Sequence, residues 1–120
     1  MTLLIVDDHA PMREIMRTMF LDLADQIFEC ANGAEAMISF GMHRQDWVLM
    51  DIEMPVCDGI AATRRIKENS PDARIVVITA HNSRVLRQAA ADAGACAYVL
   101  KENLIGLREM LTSCPLSEAV

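Results

Sequence analysis

The 120-residue chain has few aromatic residues, few glycines and prolines, and no long apolar run. None of its apolar runs approaches the roughly 20 residues that a membrane-spanning helix needs. The start of the chain also lacks the basic region of a secretory signal. We therefore expect a cytoplasmic protein without membrane contact. A hydrophobic content of 52% excludes a disordered chain.

Paired cysteines and basic clusters are also missing. The four cysteines are widely spaced, with no CxxC pair and no histidine at ligand spacing, so neither a disulfide framework nor a zinc site is indicated. The formal net charge is −6, with 11 basic against 17 acidic residues. An acidic chain offers no electrostatic footprint for nucleic acid, so we expect no DNA contact from this segment itself.

Short apolar runs alternate with helical stretches, which is typical of βαβ units in a parallel sheet. We predict strands over residues 3–6, 27–30, 47–50, 74–78 and 97–100, and helices over 11–23, 34–42, 59–68, 84–93 and 104–111. Asp58 and Ser83 are the predicted N-caps of two helices, Gly94 ends one, and Pro115 ends the last. This alternation predicts a doubly wound α/β fold with right-handed crossovers.

Polar residues close four of the predicted strands. Asp7 and Asp8 follow the first strand, Asp51 the third, Thr79 the fourth and Lys101 the fifth. Ligands of doubly wound sheets bind beyond the carboxyl ends of the strands, where these side chains are expected to converge. Crowded carboxylates repel one another and favour a bound cation, and Mg²⁺ prefers such oxygen ligands. The pattern indicates a site for a divalent metal and a phosphoryl group.

These segments resemble the receiver domain of bacterial two-component response regulators over nearly the whole chain. The matching runs are Ile5-Val6-Asp7-Asp8-His9, Met50-Asp51-Ile52-Glu53-Met54-Pro55 with Asp58-Gly59, Val77-Ile78-Thr79-Ala80, and Gly94-Ala95 leading to Tyr98-Val99-Leu100-Lys101. The sequence segments around Asp51 and Ala62 are most similar to those of the subclass with a C-terminal helix-turn-helix output. The resemblance implies a flavodoxin-like fold, a five-stranded parallel sheet in the order 2-1-3-4-5 with five helices. Residues 1–120 would form one receiver domain, with no output domain in this chain.

The resemblance also implies a role for each matched residue. Asp51 would accept a phosphoryl group from a histidine kinase, a phosphotransfer protein or a small phosphodonor. Asp7, Asp8 and Asp51 would hold Mg²⁺ together with the backbone carbonyl of Glu53. Thr79 and Lys101 would bind the transferred group. The chain would then not be an enzyme, apart from its own phosphorylation and dephosphorylation.

Four features bear on how such a receiver works. Thr79 and Tyr98 are the expected switch residues, and Glu53 and His81 are the expected modulators of phosphate lifetime. The apolar stripe of the first helix contains Met12, Ile15, Met16, Met19 and Leu23, and methionines at its edge are a candidate kinase contact. The face of helix 4, strand 5 and helix 5 is a candidate homodimer surface. Transcription is the expected output, through a separate or removed DNA-binding domain.

One departure and several alternatives stay open. Receivers commonly have proline after the site lysine, whereas Glu102 follows Lys101 here, which leaves the geometry of that peptide open. The chain could be a stand-alone receiver that acts by protein contact, or a degenerate one that is never phosphorylated. An aspartyl-phosphate hydrolase would use Glu53 as its acid, but the chain has no room for a substrate cap. A flavin carrier would need a phosphate loop where Asp7 and Asp8 lie.

Overall fold

The computed structural model describes residues 1–113 and contains five strands, five α-helices and one short 3₁₀ helix. The strands are β1 (Thr2–Val6), β2 (Gln26–Cys30), β3 (Trp47–Asp51), β4 (Ile75–Thr79) and β5 (Ala97–Leu100). The helices are α1 (Ala10–Phe20), α2 (Gly33–His43), α3 (Gly59–Asn69), α4 (Arg84–Ala93) and α5 (Leu104–Ser113), with the 3₁₀ turn at Lys101–Asn103. The predicted end of the last helix at Pro115 lies outside the described residues.

All strand pairs are parallel, in the order β2-β1-β3-β4-β5. The prediction of a flavodoxin-like sheet in the order 2-1-3-4-5 is confirmed. Every residue of β3 and β4 is buried, because helices cover both faces of these central strands. Helices α1 and α5 contact each other on one face, and α2, α3 and α4 contact in sequence on the other.

Local chemistry sets the ends of the helices. The Asp58 carboxylate accepts hydrogen bonds from the amides of Ile60 and Ala61, so it caps α3 as predicted. The Ser83 hydroxyl caps α4, and Gly94 ends that helix at a φ of 103°. Arg44 ends α2 in the left-handed region without being glycine. No helix within residues 1–113 has the length and apolar character that crossing a membrane requires.

The prediction for α1 is wrong in two respects. The helix ends at Phe20 rather than at Leu23, because residues 21–23 form a turn in which Leu23 and Ala24 donate to the Phe20 carbonyl. Leu23 still packs on the core from that turn, which prolongs the apolar periodicity past the helix. Ile15 does not join the core stripe, since 53% of it is exposed, whereas Met16 is buried.

Two smaller differences concern residues at strand ends. Arg74 precedes β4 instead of beginning it, and Thr79 is the last residue of that strand. Lys101 opens the 3₁₀ turn that links β5 to α5. There is no cis peptide bond within residues 1–113, so the Lys101–Glu102 peptide is trans.

Candidate functional site

The register of the sheet brings the predicted polar residues to one edge. Val6 pairs with Met50, Asp51 with Ile78, and Thr79 with Leu100. Asp7 and Lys101 are the residues that follow β1 and β5, so each lies one step beyond its strand. Together these residues border a cleft of about 350 Å³. Its lining consists of Asp7, Asp8, His9, Asp51, Glu53, Thr79, Ala80, His81 and Lys101.

Three carboxylates converge in this cleft. One oxygen each of Asp7, Asp8 and Asp51 lies within 4.8 Å of the others. Asp7 and Asp51 are buried, whereas Asp8 is exposed. Buried carboxylates at this spacing need a positive partner, and an all-oxygen donor set open to water on one side suits Mg²⁺. The residues present therefore fit a hard divalent cation.

Lys101 supplies the positive side chain that faces this cluster. Its Nζ lies 3.0 Å from Asp7 Oδ2 and 3.4 Å from Asp51 Oδ1. Burial by itself would lower the pKa of Lys101, but the hydrogen bond to Asp7 and the charge of Asp51 outweigh it and raise that pKa. The ammonium thus stays charged beside both carboxylates.

Asp51 is the carboxylate of the group whose pKa is raised most clearly. Burial, and then repulsion from Asp7, raises the pKa of Asp51 to about 6, against the attraction of Lys101. A residue held in this way gains most when a further cation enters the cleft. Asp51 also lies in the middle of the cleft, because β3 is flanked by β1, which precedes Asp7, and by β4, which ends at Thr79.

Thr79 and His81 mark the rim formed by the β4–α4 loop. Thr79 is almost fully buried, and its hydroxyl oxygen accepts a hydrogen bond from the His81 amide. The His81 imidazole Nε2 is in polar contact with the carboxylate of Glu53, which comes from the β3–α3 loop. Both side chains are more than half exposed, so the pair lies across the mouth of the cleft.

Tyr98 connects this rim to the α4–β5 face. Its hydroxyl donates a hydrogen bond of 2.6 Å to the carbonyl oxygen of His81. The Arg87 guanidinium lies 4.4 Å from the centre of the tyrosine ring. A chain of contacts therefore runs from Glu53 through His81 to Tyr98 and α4.

Two residues near the site were missed in the sequence. A Cβ on Gly59 would come within 1.9 Å of the Asp51 carbonyl oxygen, so α3 can begin this close to the end of β3 only with glycine. Arg13 donates to the Asp7 carbonyl from α1. In the sequence, Gly59 served only as a helix start and as part of a matching run, and no short pattern indicates that Arg13 reaches the site.

Comparison with known proteins decides the family. The family model of the response regulator receiver domain matches residues 3–112. The chain belongs to this family. It is 36% identical over 104 residues to the transcriptional regulatory protein YhcZ of Bacillus subtilis, covering 85% of this chain and 49% of that protein. It is 37% identical over 98 residues to the chemotaxis protein CheY of Halobacterium salinarum, covering 82% of each.

A solved structure agrees with these relatives. In the CheX–CheY complex with BeF₃ and Mg²⁺ from Borrelia burgdorferi, the matching chain has a TM-score of 0.81 and 26% identity, over 95% of this chain and 90% of that one. The chain is thus a receiver of two-component signalling, a class that takes up a phosphoryl group and controls an output. Receivers act with histidine kinases or phosphotransfer proteins, bind Mg²⁺ through acidic residues, and mostly transduce signals without being enzymes. Because the chain belongs to the receiver family, the hydrolase and flavin-carrier alternatives are not supported.

Proposed function

We propose that Asp51 is the phosphoryl acceptor of this receiver. The observation that carries the proposal is the shared cleft, in which Asp51 lies within 4.8 Å of Asp7 and Asp8 and 3.4 Å from the Lys101 ammonium. An Asp51 carboxylate oxygen would attack the phosphorus of a phosphohistidine or a small phosphodonor. The bond from phosphorus to the donor atom breaks, and its electron pair leaves with the donor. Such transfers depend mostly on positioning and charge neutralisation, which this cleft offers.

The remaining site residues have supporting roles in this proposal. Asp7, Asp8, Asp51 and the carbonyl of Glu53 would hold Mg²⁺, which neutralises charge on the phosphoryl oxygens and orients them. Lys101 would bind a phosphoryl oxygen once Asp51 is modified. The Thr79 hydroxyl would turn from the His81 amide to the same group. Water later attacks the acyl phosphate and releases inorganic phosphate, which ends the signal.

Phosphorylation with acetyl phosphate, followed by intact mass, tests the assignment. The wild-type chain should gain one phosphoryl group in the presence of Mg²⁺ and none after chelation. Asp51→Asn should abolish the gain, and Asp58→Asn, a neighbouring exposed aspartate, should leave it intact. A wild-type chain that is never modified would indicate a degenerate receiver. A phosphoryl group gained by the Asp51→Asn variant would show that another residue is the acceptor.

The switch proposed for this receiver combines Thr79 and Tyr98. A phosphoryl group on Asp51 carries about −1.5 to −2 charge in place of the single negative charge of the carboxylate, so it makes the cleft more negative. Movement of Thr79 toward it would disturb the His81 amide, and Tyr98 holds the carbonyl of the same residue. The exposed Glu53–His81 pair would modulate the phosphate lifetime by limiting the approach of water.

We further propose that transcription is the output, through a DNA-binding segment separate from residues 1–113. The support is YhcZ, a transcriptional regulatory protein of which this chain spans about half. CheY, spanned over 82% of its length, supports the alternative of a receiver that acts by protein contact. The acidic balance of the chain supports a DNA contact made outside the receiver itself. Such a regulator would work in the cytoplasm.

Two surfaces are proposed for partners. The groove between α1 and α5, about 730 Å³ in volume, presents the exposed Ile15 and the half-buried Met19 beside Arg108, and suits a helix of the kinase. The face of α4, β5 and α5 presents the exposed Val85 and Ile105, which suit a homodimer. Sedimentation with and without beryllofluoride would test that dimer.

A further inference from the structure

The peptide that joins Asp7 to Asp8 is held by a side chain from outside the cleft. Arg13, on α1, donates a hydrogen bond of 2.7 Å from Nη1 to the carbonyl oxygen of Asp7. This carbonyl and the amide of Asp8 belong to one planar peptide unit. Fixing the Asp7 carbonyl therefore fixes the direction in which the chain enters Asp8.

The Arg13 guanidinium is itself braced. Its Nε donates to Glu29 Oε1 at 3.2 Å, and Arg17 Nη1 donates to Glu29 Oε2 at 3.3 Å. Only 20% of the Arg13 side chain is exposed, against 45% of Arg17. Glu29 lies on β2, so the guanidinium spans from one helix to a strand of the sheet. Glu29 is shared by the two arginines, so it offsets only part of the Arg13 charge, and the hydrogen bond to the Asp7 carbonyl is the direct link from Arg13 to the site.

The two aspartates differ in how they are held. The Asp7 amide donates to the Cys30 carbonyl, its Oδ1 accepts from the His9 amide, and its Oδ2 faces Lys101 at 3.0 Å. Asp8 is exposed, yet one of its oxygens lies with those of Asp7 and Asp51. The direction of the Asp8 carboxylate thus depends on its main chain.

We propose that Arg13 is a positioning residue for the metal site. It holds the Asp7–Asp8 peptide in the orientation that aims the Asp8 carboxylate into the cleft, braced by Glu29. The inference rests on the proposed Mg²⁺ site, to which it adds a residue that does not touch the cation. Residues that orient metal ligands typically change metal affinity about 10- to 100-fold when they are replaced.

Calorimetric titration with Mg²⁺ alone tests this role in the folded chain. Arg13→Met keeps the side-chain stem and should weaken Mg²⁺ binding about tenfold. Arg17→Met is the matched control, since it removes the other arginine from Glu29 without touching the Asp7 carbonyl, and it should bind as the wild type does. The Mg²⁺ affinity of Arg13→Lys should lie between those of the two methionine variants, because an ammonium reproduces only part of the hydrogen bonding of the guanidinium. Circular dichroism checks the fold of each variant.

Each outcome decides between the interpretations. Equal Mg²⁺ affinity in folded Arg13→Met and Arg17→Met overturns the positioning role. Should Arg13→Met not fold, Arg13→Lys is compared with Arg17→Lys, and wild-type affinity in the Arg13 variant then overturns it. A wild-type chain that binds no Mg²⁺ instead refutes the proposed metal site. In the wild type, Mg²⁺ should also shift the NMR signal of the Asp8 amide, and this shift should shrink in Arg13→Lys.

Discussion

Asp51 is under opposing influences within a few ångströms. Burial and the Asp7 charge oppose its ionisation, whereas the ammonium of Lys101 favours it. The balance leaves a pKa of about 6, so the carboxylate is ionised at pH 7 but at a cost to the fold. A buried carboxylate with its pKa raised in this way is typical of a functional site, whose charge a cation or a ligand completes.

Asp51→Asn is expected to stabilise the metal-free receiver at pH 7. The folded pKa of about 6 lies above the ordinary value of 3.8, so the folded chain binds the extra proton between these values. Stability from this group is therefore present at about pH 4 and is lost as the pH rises through about 6. Asparagine avoids that loss, which is worth about 2 to 3 kcal/mol at neutral pH.

Urea unfolding in the presence of a chelator measures this effect. The free energy of unfolding of Asp51→Asn should exceed that of the wild type at pH 7, and the two should converge near pH 4. Asp58→Asn is the control, because it keeps a capping side chain at an exposed position and should follow the wild type at both pH values. A gain that is the same at both pH values would contradict the raised pKa.

Glu53→Asn is expected to shorten the life of the phosphorylated form. The substitution breaks the exposed pair with His81 and opens the mouth of the cleft to water. An exposed contact of this kind contributes about 0.2–1 kcal/mol, so the loss of phosphate should be about 1.4- to fivefold faster. The rate is read by quenching the phosphodonor and following intact mass.

Glu102→Asn, an exposed site on the other side of Lys101, is the control for that rate. Glu53→Asn and His81→Asn should be non-additive when combined, because either one alone removes the pair. An unchanged rate in Glu53→Asn would eliminate the modulator role.

At the scale of elements, the site depends on how closely α3 approaches the end of β3. The Gly59 amide donates to the Ile52 carbonyl, and the helix begins within contact of the Asp51 backbone. Asp58 caps the same turn, so the cap and the glycine together hold the loop that follows Asp51. The helix start is thus part of the site, although it contributes no polar group to the cleft.

Gly59→Ala is expected to destabilise the chain by about 1–3 kcal/mol and to slow phosphorylation, because overpacking displaces the Asp51 backbone. Gly41→Ala is the matched control. Gly41 lies in α2 with nothing within 4 Å of the added methyl group, so the same change should stabilise by about 0.5–1 kcal/mol. Thermal unfolding and the rate of phosphorylation are measured for both. Similar effects of the two substitutions would contradict the close approach.

Strands and helix caps could be predicted from the sequence because each follows from a local signal, whereas the order of the strands came from the family resemblance. Buried apolar runs fix β3 and β4, and Asp58 and Gly94 fix two helix ends. Convergence of the aspartates followed from strand ends that share one edge.

Other features depend on packing that the sequence does not express. Val56, a β-branched residue, has a φ of 70° in a three-residue turn that is closed by the hydrogen bond from the Cys57 amide to the Pro55 carbonyl. Ile15 is exposed although its spacing suits a core stripe, because it lines the open groove between α1 and α5. The reach of Arg13 to the Asp7 carbonyl requires the relative placement of α1 and β1, which no short pattern contains.

At the scale of the whole molecule, the cleft and the α4–β5 face are physically continuous. Glu53 pairs with the His81 side chain, Thr79 accepts from its amide, and Tyr98 donates to its carbonyl. In the proposed switch, a change at Asp51 reaches α4 through His81. A ligand of the cleft can bias the receiver only by favouring one arrangement of these contacts over another.

Tyr98→Phe is expected to weaken this coupling without removing the site. The ring and its Arg87 contact stay, but the hydrogen bond to the His81 carbonyl is lost. Binding of Mg²⁺ and beryllofluoride in the cleft should therefore slow amide exchange in α4 less than it does in the wild type. Hydrogen exchange of α4, measured with and without Mg²⁺ and beryllofluoride, should change clearly in the wild type and weakly in Tyr98→Phe. Thr112→Val, which removes a hydroxyl bonded only within α5, should respond as the wild type does. A full response in Tyr98→Phe would mean that α4 is coupled to the cleft through Thr79 and the loop backbone alone.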